Sequence, residues 1–307
     1  MIFPAPLAPG GTVLLAAPSS PLTKDQPVEN IAAAVEALGF RVRTGASCTA
    51  EPGPSGYAAA LPEIRADDIN QGFADPAIGA IWCVRGGETA WQLLPYLDYS
   101  VIRKHPKPLI GFSDITTLHL AIQQNAQIVT FHGPTANRAL TWDSDSFSWT
   151  SLWDTMHMRG SLSIRNPPGE PVVPLRPGTA CGPLTGGNLS LTAQTMGTPQ
   201  QIDSRGKILY LEDVGEEVYA LERMLDQLLR GGILHKAAGL IFGAFTNCTN
   251  ARREDYGPEQ LLRDLFRNWN RPVLLNLRSA HCSPMVTLPM GTLCKIDGNA
   301  GTITCFR

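Results

Sequence analysis

The chain lacks several features that would identify its class at once. Its 307 residues include seven cysteines, none of them in a Cys-x-x-Cys pair, so neither a zinc site nor a disulfide framework is indicated, and reduced thiols are expected. Only 17% of the residues are charged and the net charge is -2, which argues against nucleic acid or an anionic membrane as the partner, because both select basic surfaces. No apolar run is long enough to span a membrane. A small polar ligand is the expected partner.

The first residues, "MIFPAPLAPGGTVLLAAPSS", contain an apolar run but no basic segment before it, and proline and glycine interrupt it. This pattern is not that of a signal peptide. The sequence therefore predicts a cytoplasmic protein.

Short apolar segments alternate with helical patterns over the first 135 residues. Near-continuous apolar strands joined by helices are typical of a parallel sheet covered on both faces, and such sheets bind ligands at the carboxyl ends of their strands. In the first helix Val28, Ile31 and Val35 share one face, and Gly39 supplies the stop. The predicted strands are "TVLLAA" (12–17), "FRVRT" (40–44), "AIGAIWCV" (77–84), "PLI" (108–110) and "QIVTF" (127–131).

The pattern changes over residues 141–178, where a stretch rich in Trp and Ser precedes "NPPGEPVVPLRPG". Because proline removes backbone donors and blocks helix, this segment is predicted to be a linker. The prediction is a flavodoxin-like α/β domain over 1–140 and a smaller mixed α/β domain over 179–307. In the second domain we expect strands at 207–214, 237–245 and 272–277, a helix over 216–230 and a C-terminal hairpin.

A serine lies where the strand "PLI" runs into a helix through "GFSD" (111–114). On so tight a turn the Ser113 hydroxyl is held at the carboxyl edge of the sheet, beside backbone N–H groups that can stabilise an oxyanion. The competing interpretation is a helix N-cap, a common role of serine before an amphipathic helix. The stretch is not the G-x-S-x-G elbow.

A nucleophilic serine needs a base with an orienting acid. His281 follows the strand 272–277 in a loop punctuated by proline and glycine, the usual place for catalytic groups, while His132 ends a predicted strand and could also approach the site. The other candidates lie on the helix after the serine (His119) or in polar contexts (His105, His157 and His235).

For the acid, Glu212 closes the apolar strand "KILYLEDV", where a carboxylate costs desolvation unless it has a partner. A second strand-to-helix turn, "VRGGETAWQLL" (84–94), could bring the N–H of Gly86 or Gly87 to an oxyanion. Neither phosphate-binding glycine motif is present, which disfavours nucleotide binding.

Taken in order, these pieces resemble the LD-carboxypeptidase family of serine peptidases, which also includes microcin C immunity hydrolases. The resemblance covers nearly the whole chain. The motifs that carry it are "RADDI" (65–69), "VRGG" (84–87), "GFSD" (111–114), "HGP" (132–134), "GGNLS" (186–190) with "MGT" (196–198), "LEDVGE" (211–216) and "AHCSPMVTLPMG" (280–291).

The resemblance implies a catalytic triad of Ser113, Glu212 and His281, in a cleft between a domain that carries the serine and a domain that carries acid and base. It implies an oxyanion hole from the backbone N–H of Asp114 and of Gly86 or Gly87. It further implies a homodimer, no metal or other cofactor, and cleavage of the bond between an L-configured centre and the terminal D-alanine of murein tetrapeptides, in peptidoglycan recycling.

Arg85 is a candidate to bind the D-alanine carboxylate, although a surface arginine at a strand end is the simpler interpretation. The chain departs from the family at Glu88 and Thr89, where Tyr-Gly is common, at Ala280, where glycine is common, and at Phe112, where tyrosine is common. These positions surround the expected cleft, so they bear on the substrate more than on the reaction.

Two alternatives remain open. The first is an amide hydrolase of the same mechanism that acts on peptidyl or acyl adenylates, for which Trp142, Trp149 and Trp153 could form a stacking surface. The second is a non-catalytic binding module on the same fold, with Ser113 as a helix cap. A cysteine amidotransferase is a variant of the second, but Cys83 lies inside a predicted strand, where a buried apolar role is favoured.

Overall fold

The structure is a computed structural model that describes residues 1–141 and 146–307. The chain folds as two compact units, Met1–His157 and Met158–Arg307. No helix within the described ranges is long and apolar enough to cross a membrane. The predicted α/β class is confirmed, with a parallel sheet in the first unit and a mixed sheet in the second.

The first unit is built on parallel strands in the order β2-β1-β3-β4-β5. This is the order of flavodoxin-like folds, in which the crevice between β1 and β3 is the usual binding place. Every predicted strand of this unit is present, shortened or shifted by a few residues. The strands are β1 Thr12–Ala16, β2 Arg41–Thr44, β3 Ala80–Cys83, β4 Leu109–Gly111 and β5 Thr130–His132. The helices are α1 Val28–Ala37, α2 Pro62–Ala74, α3 Tyr99–Lys104, α4 Thr116–Asn125 and α5 Ser146–Met156, with 3₁₀ turns at Ala46–Cys48, Ala90–Tyr96, Ser113–Ile115 and Ala136–Thr141.

Both faces of this sheet are covered, as the apolar strands predict. Val13 and Leu15 of β1 pack into one core with α1 and α5, while Leu14 and Ala16 pack into the opposite core with α2 and α4. The alternation of side chains along the strand therefore divides the apolar residues between two layers of helix. Helix α1 ends as expected, since Gly39 has a φ of 91°.

The second unit contains one sheet in the order β6-β14-β13-β8-β9-β10-β11-β7. Its centre, β8 to β11, is parallel, and the outer strands are antiparallel. The predicted hairpin is present as β13 and β14. The strands of this sheet are β6 Ser161–Ile164, β7 Val173–Arg176, β8 Thr179–Asn188, β9 Ile208–Val214, β10 Gly239–Thr246, β11 Val273–Leu277, β13 Leu293–Asp297 and β14 Thr302–Phe306. A further short strand of this unit, β12 Leu288–Met290, is not part of the sheet. The helices are α6 Leu189–Gln194, α7 Val218–Arg230, α8 Ile233–Lys236 and α9 Pro258–Leu265.

The segment 141–178 differs from the predicted linker. Its described part contains α5, β6 and β7, and the division between the two units falls inside it, after His157. Helix α5 forms because Trp149, Leu152 and Trp153 fall on one apolar face that packs against the first core. Strand β7 accommodates Pro174 because it is an edge strand paired on one side only, with β11. The domain limits at 140 and 178 stay predictions.

Candidate active site

Ser113 lies on a strained turn directly after β4. Its φ is 63°, the left-handed region that residues other than glycine rarely adopt, and a cost of about 1–3 kcal/mol is typical of such a residue. The N-cap positions of the 3₁₀ turn and of α4 are occupied by Phe112 and Ile115, not by Ser113. The serine is therefore not the helix cap of the competing interpretation, and the strain at a strand end is typical of a functional site.

The glycine turn after β3 packs directly against the serine. A Cβ on Gly86 would lie 2.9 Å from the Cβ and 3.1 Å from the Oγ of Ser113. Gly87 has a φ of 146°, and a Cβ there would lie 2.1 Å from the Oγ of Ser20. Only glycine allows these close approaches. The structure thus brings Gly86 against Ser113 and Gly87 against Ser20, at the carboxyl ends of β1, β3 and β4.

Asp114 is fully buried beside the serine. Its Oδ2 accepts hydrogen bonds from the Ser19 hydroxyl and, at 2.7 Å, from the backbone N–H of Ala90. Burial raises the pKa of the Asp114 carboxyl, and these hydrogen bonds oppose the rise. Sequence reasoning assigned only the backbone of Asp114 and missed its side chain, which links the serine turn to two other loops.

The "HGP" motif supports the serine turn from the neighbouring strand β5. The backbone N–H of Gly133 donates to the carbonyl of Gly111 at 3.1 Å, and His119 donates from Nε2 to the same carbonyl at 2.8 Å. His132 is fully buried, with its ring centroid 6.1 Å from those of Phe112 and His119. Burial lowers the pKa of His119 to about 4, so this imidazole is neutral at neutral pH.

Glu212 lies in β9, at the centre of the second unit's sheet, and is fully buried. The pairing of β10 with β9 shifts register between Phe242 and Phe245, opposite Glu212. A Cβ on Gly243, inside this irregularity, would lie 2.9 Å from the Cβ of Glu212. The bulge and its glycine therefore make room for this carboxylate inside the sheet.

His281 and Glu212 form a hydrogen-bonded pair. The Nδ1 of His281 donates to the Oε2 of Glu212 at 2.8 Å, and the imidazole, on the loop after β11, remains 18% exposed while the carboxylate has no exposure. Burial raises the pKa of Glu212, and the hydrogen bond from His281 opposes that rise. A carboxylate on Nδ1 fixes the tautomer that leaves Nε2 to accept a proton, as in serine hydrolases.

Asp213, next to Glu212, explains why the "GGNLS" and "LEDVGE" motifs occur together. Its Oδ1 accepts from the side chain of Asn188 at 2.9 Å, and its Oδ2 accepts from the N–H and hydroxyl of Ser190, at 3.0 and 2.7 Å. Asn188 in turn caps α6 through its side-chain oxygen. This carboxylate ties the start of α6 to the strand of Glu212, a role that the sequence motif alone did not indicate.

The remaining sequence candidates have simpler surroundings. Arg85 is half-buried and donates from Nη1 to the carbonyl of Pro21 at 2.8 Å. Cys83 is fully buried in β3, and burial raises the pKa of its thiol, in agreement with the apolar role. Trp149 and Trp153 pack against each other and against Phe40, with ring centroids 5.4 to 6.1 Å apart. The third tryptophan of the predicted stacking surface, Trp142, lies outside the described residues.

In residues 1–141 and 146–307, no group of three or more His, Cys, Asp or Glu side chains is arranged to hold a metal ion. The groups suited to chemistry are a strained serine packed against a glycine turn in the first unit, and a carboxylate–imidazole pair in the second.

Comparison with known proteins gives consistent matches along the chain. The sequence profile of the LD-carboxypeptidase N-terminal domain matches residues 13–133, and that of the LD-carboxypeptidase C-terminal domain matches residues 181–296. A probable murein peptide carboxypeptidase of Bacillus subtilis is 38% identical over 293 residues, which are 94% of this chain and 89% of that protein.

Two solved structures extend the comparison. A muramoyltetrapeptide carboxypeptidase from Oxalobacter formigenes is 27% identical with a TM-score of 0.81, covering 96% of this chain and 97% of that one. A microcin C7 self-immunity protein has a TM-score of 0.88 over 100% of this chain and 99% of its own, at 24% identity, a likeness that concerns the fold alone.

Proposed function

The chain belongs to the LD-carboxypeptidase family, and from that premise we propose that it is a serine peptidase that hydrolyses the L,D amide bond to the terminal D-alanine of murein tetrapeptide. Ser113 is the nucleophile, His281 the general base and Glu212 the residue that orients the base. The names of the Bacillus and Oxalobacter proteins support the substrate class.

The observation that carries this proposal is the 2.8 Å hydrogen bond from the Nδ1 of His281 to the buried Oε2 of Glu212. A carboxylate buried in a sheet costs desolvation free energy, and the hydrogen bond from an imidazole that is itself 18% exposed recovers part of that cost. A purely structural role for Glu212 would not explain why this acid lies at a bulge, hydrogen-bonded to a partly exposed histidine.

The reaction follows the serine hydrolase pattern. The Oγ of Ser113 attacks the amide carbonyl carbon while the Nε2 of His281 accepts the hydroxyl proton. The tetrahedral intermediate then collapses, and His281 returns the proton to the nitrogen of the leaving D-alanine. Water, deprotonated by the same imidazole, hydrolyses the ester on Ser113 and restores the enzyme.

The oxyanion of the tetrahedral intermediate is stabilised by backbone N–H groups of Asp114 and of Gly86 or Gly87. The contact of Gly86 with Ser113 supports this assignment, because donors must lie about 3 Å from the developing charge to be effective. Arg85 is proposed to attract the D-alanine carboxylate, using the guanidinium N–H groups that do not bind Pro21.

The test is release of D-alanine from a murein tetrapeptide by the wild-type protein and by Ser113→Ala, at equal folded concentration checked by circular dichroism. Wild-type release with a loss of at least about 10³-fold in the variant is expected, since the nucleophile is removed. Release by both proteins would refute the role of Ser113. Release by neither, with Ser113 still labelled by a fluorophosphonate, would refute the murein substrate but not the serine hydrolase.

An amide hydrolase acting on acyl adenylates is the second candidate, and the structure gives it less support. The stacking surface it requires was predicted from three tryptophans, and two of these pack on the first core beside Phe40. Tight binding of a sulfamoyl adenosine by the protein, together with cleavage of the corresponding acyl adenylate, would favour this candidate over the murein substrate.

We place this activity in the cytoplasm, in recycling of peptidoglycan fragments, and we expect a homodimer, as in the family. Light scattering of the purified protein, whose chain mass is 33.1 kDa, distinguishes monomer from dimer directly.

A further inference from the structure

Arg65, of the "RADDI" motif, is a fully buried arginine that the reaction does not use. It lies on α2, on the same face as Ile69 and Phe73. Its Nε donates to the carbonyl of Ala60 at 2.9 Å, and its Nη2 donates to the side chain of Gln92. An arginine without exposure is rare, and its retention calls for a role that an apolar residue could not fill.

The Nη1 of Arg65 binds the loops that follow two strands of the sheet. It donates to the carbonyl of Pro18, after β1, at 2.9 Å, and to the carbonyl and hydroxyl oxygens of Thr89, after β3, at 3.2 and 3.0 Å. The planar guanidinium, with donors in a fixed fork, holds these oxygens at a set separation.

Asp114 binds the same two loops from the third strand end. Its Oδ2 accepts from the hydroxyl of Ser19, after β1, and from the N–H of Ala90, after β3, at 2.7 Å. Pro18 is followed by Ser19 in the first loop, and Thr89 is followed by Ala90 in the second. Arg65 and Asp114 therefore bind neighbouring residues in each loop. The carboxylate is also an opposite charge that acts on Arg65 through space.

These loops carry the groups proposed to stabilise the oxyanion, and their backbones need external support. Ser113 has a φ of 63° and Gly87 a φ of 146°, and the loop 84–89 has no regular secondary structure. Strained backbone persists only where the surroundings determine it strongly. Arg65 donates to these loops and Asp114 accepts from them, and hydrogen bonds of charged groups are roughly twice as strong as neutral ones, so the two side chains fix the loop backbones.

We infer that Arg65 and Asp114 form a charged clamp that sets the spacing of the strand ends β1, β3 and β4 and thereby positions the oxyanion N–H groups against the Oγ of Ser113. The inference rests on the proposed function of Ser113. Arg65 is a positioning residue, since it acts through Thr89 and Pro18 and not on the substrate. The Asp114 side chain acts in the same way, separately from its backbone N–H.

The clamp is tested with Arg65→Lys, Arg65→Met and Asp114→Asn. A matched control is Ile69→Ala, which creates a cavity on the same face of α2 without removing a hydrogen bond. For each variant, kcat and KM for D-alanine release, and the rate of labelling of Ser113 by a fluorophosphonate, are measured per folded protein.

A displaced oxyanion donor affects the transition state more than bound substrate. We therefore expect kcat and the labelling rate to fall by about 10- to 100-fold in Arg65→Met and Asp114→Asn with KM nearly unchanged, less than the 10²–10³-fold typical of a deleted donor. For Arg65→Lys, which keeps the charge and some donors, kcat and the labelling rate are expected to lie between those of wild type and Arg65→Met. Ile69→Ala is expected to lose stability but to keep kcat.

Two results would overturn the inference and leave the proposed function intact. The first is unchanged kcat and labelling rate in folded Arg65→Met and Asp114→Asn. The second is a fall in kcat in Ile69→Ala as large as the fall in those two variants. If the wild-type protein neither releases D-alanine nor reacts with the fluorophosphonate, the proposed function fails, and the clamp fails with it. If the wild type is labelled but does not release D-alanine, the labelling rates of the variants still test whether the clamp positions the oxyanion donors.

Discussion

At the scale of single residues, the serine turn packs against a glycine, Gly86, that has no side chain. Gly86 has no Cβ, and the space that a Cβ would occupy is filled by Ser113 and by the carbonyl of Phe112. Because the serine backbone is already strained, it has little capacity to move away from an added atom. Catalysis depends on placing the reacting oxygen within a fraction of an ångström, so this contact matters more for activity than for folding.

Substitution Gly86→Ala is therefore expected to lower kcat/KM for D-alanine release by about 100-fold or more, because the new methyl group displaces Ser113. The measurement is the steady-state rate at equal folded concentration. Gly257→Ala is the control, since a Cβ there meets no atom within 4 Å, and it is expected to behave as wild type. Full activity of Gly86→Ala would contradict the expected effect of this contact on the proposed nucleophile, Ser113.

At the scale of elements, the second unit depends on helices that cover the sheet carrying Glu212. Helix α7 packs against α6, α8 and α9. Its apolar residues repeat at helical spacing, and the four that the helix buries are Val218, Leu221, Leu225 and Leu228. Because these four residues form one buried apolar face, α7 is expected to contribute to stability.

Leu225→Ala is expected to reduce the free energy of unfolding by about 2–5 kcal/mol, through lost burial and a residual cavity. The half-buried Leu229, on the same helix, provides a matched control, because Leu229→Ala removes the same atoms at a position that buries less of them. Urea denaturation measures the loss of unfolding free energy in each variant, provided that the m-value is unchanged. Equal losses of unfolding free energy in the two variants would contradict the observation that Leu225 is more buried than Leu229. The kcat of folded Leu225→Ala is expected to match wild type.

At the scale of the whole molecule, buried titratable groups make stability depend on pH. His119 is fully buried with a pKa of about 4, below its ordinary value of 6.5. Its neutral form is favoured in the folded state, so its contribution to stability is complete above pH 6.5 and is lost as the pH falls toward 4. Glu212 and Asp114, whose pKa values are raised by burial, act in the opposite sense, with stability lost as the pH rises through their raised values.

The contribution of His119 can be isolated with His119→Gln, in which the amide keeps a donor for the carbonyl of Gly111. The difference in unfolding free energy between wild type and variant is expected to change by about 3 kcal/mol between pH 6.5 and 4, at about 1.4 kcal/mol per pH unit, and to be constant above pH 7. His105→Gln, at an exposed position, is the control and should show no such change. A pH-independent difference for His119→Gln would mean that the imidazole is not buried as a neutral group.

Much of the fold could be predicted from periodicity, and the motifs indicated part of the candidate site. The four buried residues of α7, the stop at Gly39 and the C-terminal hairpin follow from local spacing and turn chemistry, which act over a few residues. Ser113, Glu212 and His281 were proposed because each lies at or just beyond the end of an apolar strand and because the motifs around them resemble those of the family. Helix α5 was missed because prolines elsewhere in 141–178 suggested a linker, although its apolar residues repeat at helical spacing.

The sequence by itself determined most of the elements outside 141–178, the α/β class and the chemical types at the strand ends, because these depend on residues near one another in the chain. Only the tertiary structure decided that Arg65 is buried and binds Pro18 and Thr89, that Asp114 joins the same loops, and that the edge strand β7 accepts Pro174. These outcomes depend on desolvation and on hydrogen bonds between residues far apart in sequence, 95 positions for Ser19 and Asp114. The free energy of such contacts is set by the packed environment, which no local pattern encodes.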